Sequence, residues 1–253
     1  MTGCYFLDDG WVVKGAVALL ARNLSARATL DIDLYGDTPL ELAEGKLREA
    51  ARTDIGDWFR FELGPSRPIM EGTAGLRIGV EAYVGSTIWV HFSADLVGPS
   101  VKMIGQPEQV PALARLGMPG VQQHGYRVYP LVDHVADKIA AIFERHGSSE
   151  NVSSRYKDLV DLVSIIRGAR IPANLQIEAL SVQFGRRGIE LPSHFDVPDR
   201  TLWEKGYQRQ AAESNIPVAR TLDDALDFAR PFTDPLLDGT ANGYWEPDQH
   251  DWS

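Results

Sequence analysis

The 253-residue chain has one cysteine, Cys4. That excludes a fold stapled by disulfides and suits a reducing compartment. The chain also lacks any uninterrupted apolar run of about 18 residues, so no transmembrane helix is expected. The best candidate, Trp11 to Ala21, is broken by Lys14 and preceded by Asp8 and Asp9, where a signal peptide needs a basic start. The expected location is cytoplasmic, with no membrane partner. Basic residues are in deficit: 25 Lys and Arg stand against 35 Asp and Glu, for a net charge of −10. Bulk charge therefore argues against a general nucleic-acid binder, though not against a local basic groove. The deficit is concentrated in 223–253, where eight acids face one base, Arg230, and the first 222 residues carry only −3. There is no internal repeat and no low-complexity tract. What the chain does have is an apolar fraction of 44%, enough for one large core or two modest ones.

The hydrophobic pattern predicts an α/β first half and a helical second half. Lys14 to Ala26 reads as a helix and Thr29 to Tyr35 as a strand. Pro39 to Trp58 reads as a helix with proline near its first turn. Leu76–Val84 and Thr87–Val97, separated by Gly85-Ser86, read as a hairpin. Residues 98–131 are rich in Pro and Gly and read as a connector. Helices are expected over 133–146, 154–168, 173–184, 201–212 and 222–229, with 192–198 irregular.

The strongest local signal is Thr29-Leu30-Asp31-Ile32-Asp33-Leu34. On a strand, Asp31 and Asp33 share a face with Thr29, while Leu30, Ile32 and Leu34 face the core. Two carboxylates side by side repel unless something neutralises them, and Mg²⁺ with nucleotide phosphates does this well. Two solvated acids on a half-exposed strand are the alternative. Just upstream, Lys14-Gly15-Ala16 opens a helix, and a helix start can cradle phosphate through its free N–H groups. Asp95 interrupts the apolar strand His91–Val97 and is a candidate third carboxylate, with Glu81 a weaker competitor. On the 133–146 helix, His134, Lys138, Ala141 and Arg145 form a basic stripe beside the core stripe. Lys138 either snorkels or sits over phosphate. On the next helix Asp158 and Asp161 are surface neighbours, flanked by Arg155 and Lys157. Carboxylates, a glycine turn and cations together suggest phosphoryl or nucleotidyl transfer.

These segments, in this order, resemble the AbiEii/AbiGii toxin-type nucleotidyltransferases. The resemblance rests on Lys14–Leu19, Arg27–Leu34, Val90–Asp95, His134–Ala141 and Ser154–Leu162, and covers about 11–168. It implies an α+β protein, with a polymerase-β-like mixed-sheet core over 1–125 and a helical C-terminal lobe with an acidic tail over 126–253. It implies a toxin with a cognate antitoxin that uses Mg²⁺ or Mn²⁺ and an NTP. Its Men-type mycobacterial members add nucleotides to tRNA 3′ ends. By that resemblance Asp31 and Asp33 are the metal pair and Asp95 a third ligand. Lys138 contacts phosphate, Asp158 is needed for activity, and Lys14, Gly15, Ala16 and Thr29 border the nucleotide. Arg145, Arg155 and Lys157, with Arg186 and Arg187, are expected along the RNA path. Ala16 stands where the family often carries Gly, Ser or Thr, and only 13 residues precede Lys14. A protein hydroxyl as acceptor, or a catalytically degenerate binding partner, are the competing expectations.

Overall fold

In the computed structural model the described residues are 10–24, 27–54, 56, 58–69, 75–99, 102–111, 125–146 and 151–253. Cys4, Asp8 and Asp9 lie outside them. The described chain divides into two compact units. The first holds 29–102 and 107–129 with the segment before Leu24, and the second holds 130–253 together with 24–28 and 103–106.

The first unit is built on a seven-stranded mixed sheet. Its strands are β1 (Val12–Lys14), β2 (Ile32–Tyr35), β3 (Phe59–Pro68), β4 (Gly75–Val84), β5 (Thr87–Val97), β6 (Glu108–Val110) and β7 (Tyr126–Val128). They lie in the order β3-β4-β5-β2-β1-β7-β6. Pairing is antiparallel except for β5 with β2 and β1 with β7. Alternation along the strands gives the sheet one apolar face. Val13, Leu34, Ile78, Val80, Ala94 and Leu96 make that face. Helix α1 (Gly15–Ala21) and helix α2 (Leu40–Arg52) pack on it through Val17, Ala18, Ala43 and Leu47.

Several expectations are corrected here. The strand of the D-x-D motif begins at Ile32, not Thr29, and Leu30 is 66% exposed rather than in the core. Helix α1 ends at Ala21 and helix α2 at Arg52, both short of the expected bounds. Strand β3 was not expected: its alternation of Phe59, Phe61 and Leu63 is broken by Gly64-Pro65, where the register with β4 shifts. The Pro/Gly-rich stretch 98–131 contributes β6 and β7 to the sheet.

The second unit contains α3 (Leu131–Phe143), α4 (Tyr156–Gly168), α5 (Ala173–Arg187), α6 (Arg200–Ala212) and α7 (Leu222–Leu237). The short strands β8 (Arg145–His146) and β9 (Asn151–Val152) pair with each other, and β10 (Ile171–Pro172), β11 (Tyr244–Glu246) and β12 (Asp251–Trp252) form a small sheet. Helix α3 is buried on nearly every side. Helices α4 and α6 approach closely at Gly206, where a Cβ would overlap the Tyr156 ring. Tyr156 stacks edge-on against Trp203, whose Nε1 donates to the Ser153 carbonyl at 2.8 Å. Helix α7 runs eight residues past the expected Ala229 end, straight through Pro231 and Pro235. Each proline removes a backbone donor. Burial of Phe232, Leu236 and Leu237, with Phe232 packed against Trp245 and Trp252, outweighs that loss. No helix among the described residues is long and apolar enough to cross a membrane.

Candidate active site

The face of the sheet opposite α1 and α2 carries a row of charge. Residues directly opposite across neighbouring strands share a face. Register pairs Lys14 with Asp33, Asp33 with Asp95, Asp95 with Arg77, and Arg77 with Arg67. Five strands thus place Lys14, Asp33, Asp95, Arg77 and Arg67 side by side. Asp33 and Asp95, 62 positions apart in sequence, become immediate neighbours because β2 and β5 run parallel.

Two carboxylates in register are destabilising without a cation. Arg77 supplies one. Its Nε and Nη2 donate to the two oxygens of Asp95 at 2.7 and 2.6 Å. This is the bidentate geometry that makes arginine–carboxylate pairs strong. Hydrogen bonding to Asp95 and its charge hold the Arg77 proton more tightly than usual, against partial burial, and the charges of Asp31 and Asp33 add to the effect. All three candidate acids therefore act on this one guanidinium. Nothing in the sequence pattern alone points to Arg77. Counting back from the two-residue Gly85-Ser86 turn would place it opposite Ala94. A bulge at Trp89, between the pairs Tyr83–Ile88 and Ala82–Val90, shifts the register by one and brings Arg77 opposite Asp95.

Asp31 lies just before β2 and is exposed. The Thr29 hydroxyl donates to the Asp31 carbonyl oxygen at 3.4 Å. Gly15, the first residue of α1, has φ +60°, and a Cβ there would overlap Oδ2 of Asp33. The Asp33 carboxylate therefore rests against the glycine backbone, an approach that only glycine permits. Lys14 Nζ lies 4.1 Å from the centre of the Tyr129 ring, a cation–π contact. The Ala16 side chain is buried in the core, so only its backbone could meet a ligand.

Among the described residues no three His, Cys, Asp or Glu side chains converge closely enough to hold a metal alone. Both oxygens of Asp95, the expected third ligand, accept hydrogen bonds from Arg77. Mg²⁺ asks less than a full protein cage: one or two carboxylates plus substrate phosphates suffice. Asp31 and Asp33 meet that requirement, and the guanidinium held beside them marks a place that attracts positive charge. A shallow depression of about 410 Å³ lies elsewhere on the same strands, lined by Glu62, Gly64, Gly79, Glu81 and His91. None of the expected catalytic residues lines it; Glu81 there accepts a hydrogen bond from the Tyr83 hydroxyl at 2.6 Å.

In the second unit a separate ionic cluster joins α3, α4 and Arg27. Lys138 Nζ donates to Asp158 at 2.9 Å and to Asp161 at 2.7 Å. Arg27 grips the same Asp161 through two bonds of 2.8 and 2.9 Å. The Lys138 side chain is only 6% exposed and Asp161 is fully buried. Burial alone would lower the Lys138 pKa, but Asp158 and Asp161 together hold it above the usual lysine value. Burial alone would raise the Asp161 pKa, but Lys138 and Arg27 hold it below the usual carboxylate value. Lys138 is therefore neither a snorkelling surface lysine nor a cation open to solvent. The expected basic stripe is not a surface either, because His134 is buried as well. Arg27 and Asp161 are the members of this cluster that spacing did not single out as site residues.

One comparison decides the kinship. The family model described as nucleotidyl transferase AbiEii toxin, type IV toxin–antitoxin system, matches residues 2–234. The chain belongs to the AbiEii toxin family. AbiEii proteins are nucleotidyltransferases of toxin–antitoxin systems, so the family implies an enzyme with an antitoxin partner. Solved structures similar to this AbiEii chain include MenT4, a nucleotidyltransferase toxin from Mycobacterium tuberculosis H37Rv, at 15% identity and TM-score 0.48, covering 95% of this chain and 86% of that one. A putative nucleotidyltransferase from H. pylori is 13% identical at TM-score 0.46, with coverage of 93% and 86%. JHP933 from Helicobacter pylori is 14% identical at TM-score 0.41, with coverage of 71% and 72%. The comparison with curated proteins finds no match.

The remaining expected residues of this AbiEii chain divide by exposure. Arg145, Arg155 and Lys157 are exposed, with Arg155 3.9 Å from Asp158. Arg187 is not a surface cation. Its side chain is 9% exposed and is bound by Asp137 of α3 and by Glu144 just after that helix. That removes it from the expected RNA path.

Proposed function

We propose that this chain transfers a nucleotide from an NTP to the 3′ end of an RNA, with tRNA as the acceptor. The observation that carries this reading is the Asp33 carboxylate, set against the Gly15 backbone and in register with Asp95. In the reaction the RNA 3′ hydroxyl oxygen bonds to the NTP α-phosphorus and gives up its proton to solvent, the bond from the α-phosphorus to the oxygen bridging to the β-phosphate breaks, and pyrophosphate leaves. Asp31 and Asp33 would hold Mg²⁺, with Mn²⁺ as a substitute; such an ion, when bound, activates the attacking oxygen and offsets charge on the leaving group.

The chain's own residues do the rest. Gly15 leaves room for the Asp33 carboxylate against its own backbone, while Lys14, the register partner of Asp33, adds positive charge to the row. Thr29 offers a hydroxyl beside Asp31. Asp95 extends the row and holds Arg77 beside it before nucleotide binds. Lys138 and Asp158 are required through the buried cluster that they share with Asp161. Arg145, Arg155 and Lys157 are exposed cations that suit a phosphate backbone.

The test uses purified protein, Mg²⁺, each α-phosphate-labelled NTP in turn and total tRNA, resolved on a denaturing gel. Label on tRNA that disappears with Asp31→Ala, in a protein that remains folded, is the expected result. Label confined to the protein band would transfer the same chemistry to a protein hydroxyl. Label that survives Asp31→Ala would overturn the assignment of Asp31 and Asp33 as the metal pair.

A further inference from the structure

We infer that Arg77 is a resident counter-cation of the acid row, and that a divalent ion must compete with it. This rests on the reading of the row as the metal and nucleotide site. Asp33 and Asp95 are adjacent across β2 and β5, and Asp31 flanks them. Without a cation these acids would repel one another. Arg77 reaches in from β4 and satisfies both oxygens of Asp95. The two partners differ in burial: the Asp95 side chain is 11% exposed, whereas that of Arg77 is 58% exposed. Asp95 is thus fixed in the sheet, and the guanidinium can leave without opening the core. Arg67, the register partner of Arg77 on β3, makes the outer end of the row cationic.

The consequence is a coupling between metal and nucleotide. In the free protein Arg77 repels an incoming divalent ion and weakens its binding to Asp31 and Asp33. A triphosphate offers the guanidinium another bidentate anionic partner. Once Arg77 turns to phosphate, its positive charge no longer offsets Asp95, and the acids hold a divalent ion more tightly. Metal then binds tightly only with nucleotide present.

The measurement is Mn²⁺ binding to the full chain without nucleotide, read from the spin resonance of free Mn²⁺. Arg77→Gln is expected to bind Mn²⁺ about tenfold more tightly than the wild type, the effect of removing one positive charge a few ångströms from a divalent ion. Arg77→Lys keeps the charge and is expected to stay within about threefold of the wild type. Asp33→Asn is expected to lose the site. Mn²⁺ affinity that is unchanged or weaker in Arg77→Gln, with binding still dependent on Asp33, overturns the inference and leaves the metal reading standing. Binding that ignores Asp33 overturns both. The wild type provides a second readout should Arg77→Gln not fold. The nuclear Overhauser contact between the Arg77 Nε proton, assigned by its loss in Arg77→Lys, and the Asp95 side chain is expected in the free protein and is expected to disappear on saturation with Mg²⁺ and a non-hydrolysable NTP. A contact that persists at saturation overturns the inference.

Discussion

Gly15→Ala is a sharp perturbation of the site because two costs can be separated. The first is conformational: φ is +60°, and an alanine held there loses about 1–2 kcal/mol. The second is steric: the new Cβ would overlap the Asp33 carboxylate, so Asp33 or the first turn of α1 must move. Overpacking of this kind costs about 1–3 kcal/mol more. Gly188→Ala isolates the first cost, because Gly188 has φ +65° and nothing lies within 4 Å of its added Cβ. Gly15→Ala is therefore expected to destabilise the chain by about 2–5 kcal/mol and Gly188→Ala by about 1–2. Hydrogen exchange of the α1 and β2 amides reads the local effect, and urea unfolding the global one. Adding Asp33→Ala should recover the steric part, since it removes the atoms in the way. Transfer activity should fall about a hundredfold in Gly15→Ala alone, as expected for a reacting group displaced by about 1 Å. Equal costs for Gly15→Ala and Gly188→Ala, or no recovery in the double variant, would refute the contact between Asp33 and Gly15.

Other expectations follow from the same geometry. The Asp161 contribution to stability is present above its unfolded pKa near 4 and is lost as pH falls through its lowered folded value. The Lys138 contribution is present below its unfolded pKa of about 10.4 and is lost as pH rises through its raised folded value. Thermal unfolding across pH should show both flanks, and Lys138→Met should reduce the alkaline one, to which buried Tyr207 also contributes, while costing about 3 kcal/mol at neutral pH. Gly206→Ala should destabilise the α4–α6 contact by about 1–3 kcal/mol, since its Cβ meets the Tyr156 ring; circular dichroism during urea unfolding checks this. Pro231→Ala restores a backbone donor at an exposed position in α7 and should raise the melting temperature by a few degrees.

Much of this arrangement was legible because periodicity is local. The β4–β5 hairpin is marked by alternation around Gly85-Ser86, and the helices of the second unit by their apolar spacing. The D-x-D pair also stands out, although Leu30 misled, since alternation projected the strand three residues too early. What stayed hidden was non-local. That Asp33 faces Asp95 depends on β5 lying parallel beside β2. That Arg77 faces Asp95 depends on a one-residue bulge at Trp89. Lys138 looked like part of a basic surface stripe, because spacing cannot tell that α3 is enclosed on almost all sides. Burial then reversed its character, from a cation offered to a ligand into one held by two aspartates. Helix α7 passes its prolines for a similar reason: packing of Phe232 and Leu236 outweighs a local preference to stop.

The central claim is that the charged row across the sheet performs the transfer, and single-turnover rates on tRNA test it directly. Asp33→Asn is compared with Glu81→Gln, an acid on the same face of β4 that the row does not include. The account predicts a loss of at least about a hundredfold for Asp33→Asn and a change within about twofold for Glu81→Gln, with both proteins unfolding as cooperatively as the wild type. Equal rates for Asp33→Asn and the wild type, or a larger loss for Glu81→Gln, would contradict it.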